Sequence, residues 1–199
     1  MDDIVRKAMA KWPDVPHCYG WLALDARGHW RMRDDAAQRH NLPGDRIAHV
    51  ALLGFINRNY LHDDAGRWYF QNGPQRVYVN LEATPYIART DPQRGFVLHT
   101  GTVLEQIDAA WLTEQGQLVL QAGEQVAQVD DRDMALCLAQ VQMHGAAVED
   151  EALLDWLAQP SPAATLTLSY RDQQVVLGRI EAASLPVHFG FAQYPQASV

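Results

Sequence analysis

Apolar and polar positions alternate along this chain in short runs, and the runs are broken by turns that open on an acid and close on glycine. Tyr19 to Leu24, the turn Asp25-Ala26-Arg27-Gly28 and the return His29 to Arg33 predict a β-hairpin. Trp30 and Met32 alternate with His29, Arg31 and Arg33, and Asp first and Gly last are the residues a type I turn prefers. Residues 34 to 45 are polar and end in Pro43-Gly44-Asp45, a loop with a helix cap. The helix expected next, about Ile47 to Tyr60, spreads Ile47, Val50, Ala51, Leu53, Phe55 and Ile56 over most of its circumference, which predicts burial on more than one side. Its polar end, Asn57-Arg58-Asn59, emerges to solvent or into a cleft. After Asp63-Asp64-Ala65-Gly66, the runs Trp68 to Phe70 and Arg76 to Leu81 flank Asn72-Gly73-Pro74 as a second hairpin. Val77, Val79 and Leu81 form its buried face and Arg76, Tyr78 and Asn80 the other.

The rest of the chain repeats this order. Trp111-Leu112, a turn ending in Gly116, and Leu118 to Gln121 make a hairpin; Asp130 to Asp133 cap a helix in which Met134, Cys137, Leu138 and Val141 fall on one stripe. A second helix, about Glu149 to Ala158, has its acids in the first turn, and Pro160 and Pro162 end it. Leu166, Leu168 and Tyr170 then alternate with polar residues, Asp172-Gln173 turns the chain, and Val175 to Ile180 returns. The expected class is therefore α+β, with two similar halves that each pack antiparallel hairpins on a helix. The expected divisions are an arm over 1–16, a first half over 17–98, a second half over 99–185 and a tail over 186–199.

Size and charge narrow the function classes. A chain of 199 residues with 48% hydrophobic positions can build a core without disulfides or a metal. The formal charge of −8, with lysine only at Lys7 and Lys11, excludes a protein that tracks nucleic-acid phosphates. The longest apolar run, around Ile47 to Ile56, is far short of the ~20 residues that cross a bilayer, and the opening MDDIVRKAMAKWPD does not read as a secretory signal. The expectation is a cytoplasmic protein, with Cys18 and Cys137 as reduced, buried thiols.

Eight histidines show no HxxxH and no tight Cys/His spacing, so no metal is expected, and no cofactor motif appears. The acid pairs Asp34-Asp35, Asp63-Asp64 and Asp130-Asp131 sit where carboxylates cap and turn the backbone. The polar cluster with most promise is Asn57, Arg58 and Tyr60 at the helix end together with Arg76 and Tyr78 on the non-core hairpin face. If these met, two guanidinium groups, an amide and phenols would suit a carboxylate or phosphate-bearing ligand.

The segments YGWLALDARGHW, HVALLGFINRNYL and DDAGRWYFQNGPQRVYVNLEATPYI resemble an uncharacterised bacterial family, a domain of unknown function found mainly in proteobacteria. The resemblance implies two α+β halves in tandem and a part in signalling or ligand sensing. Where relatives show an acidic residue and a lysine after the proline of the second hairpin, this chain has Gln75-Arg76. The resulting expectation is a non-enzymatic ligand-binding or signalling adaptor, monomeric or homodimeric, whose partner is a small anion or another protein. The alternative is an enzyme whose acid/base groups converge from distant segments, with Asp63, His49, His62 and Arg58 as its members.

Overall fold

The computed structural model describes residues 1–158 and 164–197, and its contacts divide the chain into two compact units. The first runs from Met1 to Pro85 and takes back the chain from Phe189; the second is Tyr86–His188. The expected stop at Pro160 and Pro162 lies outside the described residues.

In the first unit, α1 (Asp3–Lys11) precedes β1 (Cys18–Leu24), β2 (Trp30–Met32), α2 (Asp35–Arg39), β3 (Asp45–Arg46), α3 (Val50–Arg58), β4 (Tyr60–His62), β5 (Trp68–Asn72) and β6 (Gln75–Leu81). These strands form a six-stranded mixed sheet of order β3-β2-β1-β6-β5-β4, in which β1 and β6 run parallel and the other neighbours antiparallel. Register sorts the side chains into two faces. Leu22 lies opposite Val79, Leu24 opposite both Leu81 and Trp30, and Tyr60 opposite Phe70. These residues make the core face, where Trp30 packs edge-on to Tyr60 at 5.0 Å and Phe55 of α3 edge-on to Phe70 at 5.3 Å. Removing such side chains from water is worth ~1.5–3 kcal/mol each, which is why the alternation was readable in the sequence. The outer face carries Arg31, Ala23, Asn80, Tyr78, Arg76 and Tyr69.

In the second unit come β7 (Tyr86–Asp91), β8 (Gly95–Leu98), β9 (Ala109–Thr113), β10 (Leu118–Ala122), β11 (Gln125–Val129), α4 (Met134–Leu138), β12 (Val141–Met143), β13 (Ala146–Ala147), α5 (Asp150–Ala158), β14 (Leu166–Tyr170), β15 (Gln173–Ile180) and α6 (Leu185–Phe189). Its nine-stranded mixed sheet has the order β13-β12-β14-β15-β9-β10-β11-β7-β8, with parallel pairs β15/β9 and β11/β7. Leu118, Leu120, Leu166 and Leu168 are among its largest fully buried side chains, and Cys137, Leu153 and Trp156 pack into the same cluster. The chain is thus an α+β protein with six short helices among its described residues.

Three hairpin turns are built alike. Asp25, Asp63 and Thr113 each donate their N–H to the carbonyl four residues on and accept at their own carbonyl from Gly28, Gly66 and Gly116. Their side-chain oxygens take the second and fourth amides of the turn: Arg27 and His29, Ala65 and Arg67, Gln115 and Gln117. The closing residues have φ of +77°, +69° and +77°, a conformation only glycine adopts without strain. The acid pairs are accordingly turn and cap residues, since Asp34 also accepts from the Ala37 amide at 2.7 Å and Asp130 from that of Arg132 at 3.0 Å.

Several elements differ from the sequence reading. The helix expected from Ile47 begins at Val50, capped by His49 Nδ1, which accepts from the Leu52 amide at 3.2 Å. Asp45 and Arg46 pair instead with β2 as an edge strand, and the Ile47 amide continues that ladder by donating to the Trp30 carbonyl. Tyr60 is the first residue of a strand. The stripe through Val141 also breaks: α4 stops at Leu138, and Val141 is buried as a strand residue opposite Leu168. β7 and β8, within the expected 17–98 segment, belong to the sheet of the second unit, where β7 pairs with β11 and β8 with β7. Cys18 is half-buried and Cys137 buried, and both are free thiols.

Candidate functional site

The outer face of the first sheet is hollowed where β1 meets the segment after β2. Pairing of β1 with β6 shifts between Cys18 and Leu22, and Gly20 sits in this bulge at φ +80°. A Cβ on Gly20 would stand 2.7 Å from Gln38 Oε1, so glycine lets α2 lie against the strand. Asp34 caps α2, Gln38 Nε2 donates to the Arg33 carbonyl at 3.1 Å, and Asn41 leaves the helix at φ +49°. On the opposite side, the tail is held by two backbone bonds, from the Leu81 amide to the Gln193 carbonyl at 2.8 Å and from the Ala192 amide to the Gly66 carbonyl at 3.0 Å.

Between these walls lie two adjoining hollows of ≈ 300 and ≈ 210 Å³ that share Arg33, Asn41, Asn80 and Tyr194. The larger adds Tyr19, Gly20, Gln38, Pro195 and Gln196, and among the described residues no carboxylate lines it. The smaller includes Asp25, Arg31 and Glu82 with the apolar Leu42 and Pro43. Arg33 is only 7% exposed, yet its guanidinium has three neutral acceptors: the Leu42 carbonyl at 3.0 Å, the Ala37 carbonyl at 3.4 Å and Asn41 Oδ1 at 3.3 Å. Among the described residues no carboxylate pairs with it, and the Asn80 side chain makes no hydrogen bond. Arg31 differs, since its Nε donates to Asp25 Oδ2 at 2.8 Å and its Nη1 to the Gly44 carbonyl at 3.2 Å. Burial opposes ionisation of Asp25, but the His29 amide, the Arg31 guanidinium and the Arg27 amide outweigh it and hold the carboxyl below its usual range.

Beyond Tyr19 the same face carries an aromatic and ionic network. Tyr19 stacks on Tyr78 at 4.6 Å, Arg67 lies 5.1 Å from the Tyr78 ring, and Arg76 lies 4.6 Å from the Tyr69 ring. The Tyr78 hydroxyl donates to Asp63 Oδ2 at 3.0 Å, and Arg67 Nε donates to the same oxygen at 2.8 Å. Burial pushes Asp63 up, but the Arg67 amide, the Tyr78 hydroxyl and the Arg67 guanidinium bring it below the usual carboxylate range. Burial, then the Arg76 and Arg67 charges, lower His17.

Of the five residues singled out from the sequence, the structure brings Arg76 and Tyr78 together on this face. The other three are engaged elsewhere. Asn57 Oδ1 accepts from Trp30 Nε1 at 2.7 Å on the core side, the buried Tyr60 hydroxyl donates to the Pro85 carbonyl at 2.9 Å, and Arg58 pairs with Asp2 at 3.4 Å. Of the alternative acid/base set, His49 caps α3, and His62 Nδ1 lies 3.1 Å from the Asp63 carbonyl with its ring against Trp68. Sequence reasoning missed Arg33 because it reads as one more polar residue closing a strand. Its signal was indirect: an arginine followed by a polar loop that offers no acid to pair with after Asp34-Asp35 until Asp45.

The second unit has a cleft of its own, ≈ 410 Å³, between residues 90–96, α4 and the end of β14. Its two arginines are already neutralised, Arg94 by Asp91 at 3.0 Å and Arg171 by Glu105. Burial pushes the Cys137 thiol at its edge up to about 12, which removes it as a nucleophile. Among the described residues no group of His, Cys, Asp and Glu is placed to hold a metal ion, and no helix is long and apolar enough to cross a membrane.

No curated protein matches the sequence. Two solved structures are similar: a DUF1285 family protein from Silicibacter pomeroyi DSS-3, 11% identical, with a TM-score of 0.49 over 93% of this chain and 98% of that one; and a DUF1285 family protein from Shewanella baltica OS155, 13% identical, with a TM-score of 0.40 over 57% of this chain and 86% of that one. A family match spans residues 1–196, and the chain belongs to the family described as "Protein of unknown function (DUF2946)".

Proposed function

We propose that this chain is a non-enzymatic binding protein, a sensor or adaptor, that takes a small carboxylate or phosphate-bearing ligand in the outer-face groove of its first unit. One observation carries the reading: Arg33 is a buried guanidinium whose acceptors are all neutral. A buried charge is costly unless an opposite charge compensates it, so a site that holds one on carbonyl and amide oxygens alone is preorganised for an anion. The larger hollow fits that role, because its amides and phenols can donate to ligand oxygens and no carboxylate among the described residues lines it. Arg76 and Tyr78 then buttress Tyr19 at the groove's end, while Arg33 and Asn80 make the contact. The acidic, lysine-poor composition supports a small-molecule or protein partner over nucleic acid.

Isothermal titration with pentanoate and with inorganic phosphate tests this reading. Saturable binding of one of them at a single site is expected, with Arg33→Gln abolishing it. Asn80→Leu, which disturbs no hydrogen bond, weakens it about tenfold with an unchanged urea midpoint, the loss of one bond to a charged group. Absence of saturable binding, or binding that both variants leave intact, contradicts it.

We also infer that the two units arose by duplication of one pattern. A three-stranded meander, a helical crossover and a second meander whose last strand runs parallel to the first give β3-β2-β1-β6-β5-β4 in one unit and β11-β10-β9-β15-β14-β12 in the other. The shared turn at Asp25 and Thr113 supports the same reading. An experimental structure in which the two crossovers have opposite hands would contradict it.

A further inference from the structure

The groove is not electrically uniform along its length. Strands β1 and β6 run parallel beneath it, so position along the pair orders the lining: Tyr19 and Gly20 at one end, Ala23 opposite Asn80 in the middle, and Asp25 beside Glu82 at the other. Asp25 is neutralised by Arg31 at 2.8 Å. That leaves two uncompensated charges, Arg33 shared by both hollows and Glu82 only in the smaller one. Glu82 accepts the Ala26 amide at 3.0 Å through Oε2, and among the described residues its other oxygen has no partner.

From this polarity we propose, building on the anion site above, that the ligand is a zwitterion with its carboxylate at Arg33 and Asn80 and its ammonium at Glu82. Asn80 lies in β6 and Glu82 follows its last residue, Leu81; at ~3.3 Å per residue of extended chain their positions stand about 7 Å apart. An extended ω-amino acid with a four- to five-atom spacer, or a dipeptide, holds its two charges at a separation comparable to this one, whereas an α-amino acid holds them much closer. The apolar Leu42 and Pro43 line the stretch on the way to Glu82 and suit a short aliphatic or peptide body.

Titration of the full chain with matched probes separates the two claims. Pentanoate and 5-aminopentanoate differ by the ammonium alone, and the second is expected to bind about tenfold tighter, the gain of one charge-assisted bond. In Glu82→Gln that advantage disappears and pentanoate affinity stays. Glycylglycine has a similar span; if it exceeds 5-aminopentanoate the source is a peptide, and if it falls below, an aliphatic amino acid, with Glu82 needed in both cases. Equal binding of pentanoate and 5-aminopentanoate by the native chain, or a preference for the zwitterion that survives Glu82→Gln, overturns the zwitterion and leaves the anion site standing. Failure of all three probes to bind overturns the zwitterion, and failure of inorganic phosphate as well removes the anion site.

Discussion

Arg33 and Asp25 line the same groove, and their environments are opposites. Asp25 is saturated: two amides, a guanidinium and the His29 ring surround its carboxylate. Arg33 has oxygen partners and no counter-charge. Replacing Arg33 by Met therefore has two effects with different readouts. The Leu42 carbonyl loses its Arg33 donor and the Ala37 carbonyl keeps only the Leu42 amide, which costs ~1–3 kcal/mol in urea denaturation, and anion binding is lost. A variant that gained stability and still bound anions would contradict the role given to this residue. Acid pH tests the carboxylates. Asp25 and Asp63 are held below their usual range when folded, so their contribution is fully present above the ordinary carboxylate pKa of ~3.9 and fades as pH falls through the lower folded values. The urea midpoint is expected to drop below about pH 4, with a shallower drop in Asp63→Asn. An identical acid profile in the variant would show that the Arg67 and Tyr78 contacts to Asp63 do not contribute.

Among the elements, those fixed by local chemistry were readable and those fixed by pairing were not. The hairpins around Asp25-Gly28, Asp63-Gly66 and Gly116 declare themselves because the turn residue supplies its own hydrogen bonds. Helix α5 and strands β14 and β15 also follow their periodicity. By contrast, β3 has two residues and β4 three, too short for any period, and each exists because a neighbouring strand offers it a ladder. Val141 shows the limit of the helical stripe: burial at its position is right, and its partner Leu168 decides that it is a strand residue. The groove inherits this. Gly20 and Gln38 look unrelated in sequence and meet only because a bulge and a five-residue helix place them together.

The tail is the element most exposed to a single change. A Cβ on Gly66, at φ +69°, would stand 1.9 Å from the Gly190 carbonyl oxygen, which is backbone and cannot step aside. Gly66→Ala is expected to release the tail, with loss of hydrogen-exchange protection at the Ala192 and Leu81 amides, and with them the Tyr194 wall of the groove. Gly20→Ala meets only the end of the Gln38 side chain and should cost ~1–2 kcal/mol, chiefly from its left-handed backbone. Equal protection in Gly66→Ala and the native chain would contradict this account of how the tail is held.

At the scale of the whole molecule, a protein of net charge −8 gathers little positive potential except where the fold isolates it. The cleft of the second unit spends its arginines on Asp91 and Glu105, and the first unit's Arg67 is spent on Asp63. Arg33 stands apart from these pairs, and the proposed function follows from that difference. Amide NMR during titration with pentanoate tests it most directly. Shifts confined to the Arg33 Nε–H and the side-chain amides of Gln38, Asn41 and Asn80 are the predicted result; shifts centred on Arg94 and Arg171, or none with either pentanoate or inorganic phosphate at saturation, would contradict it.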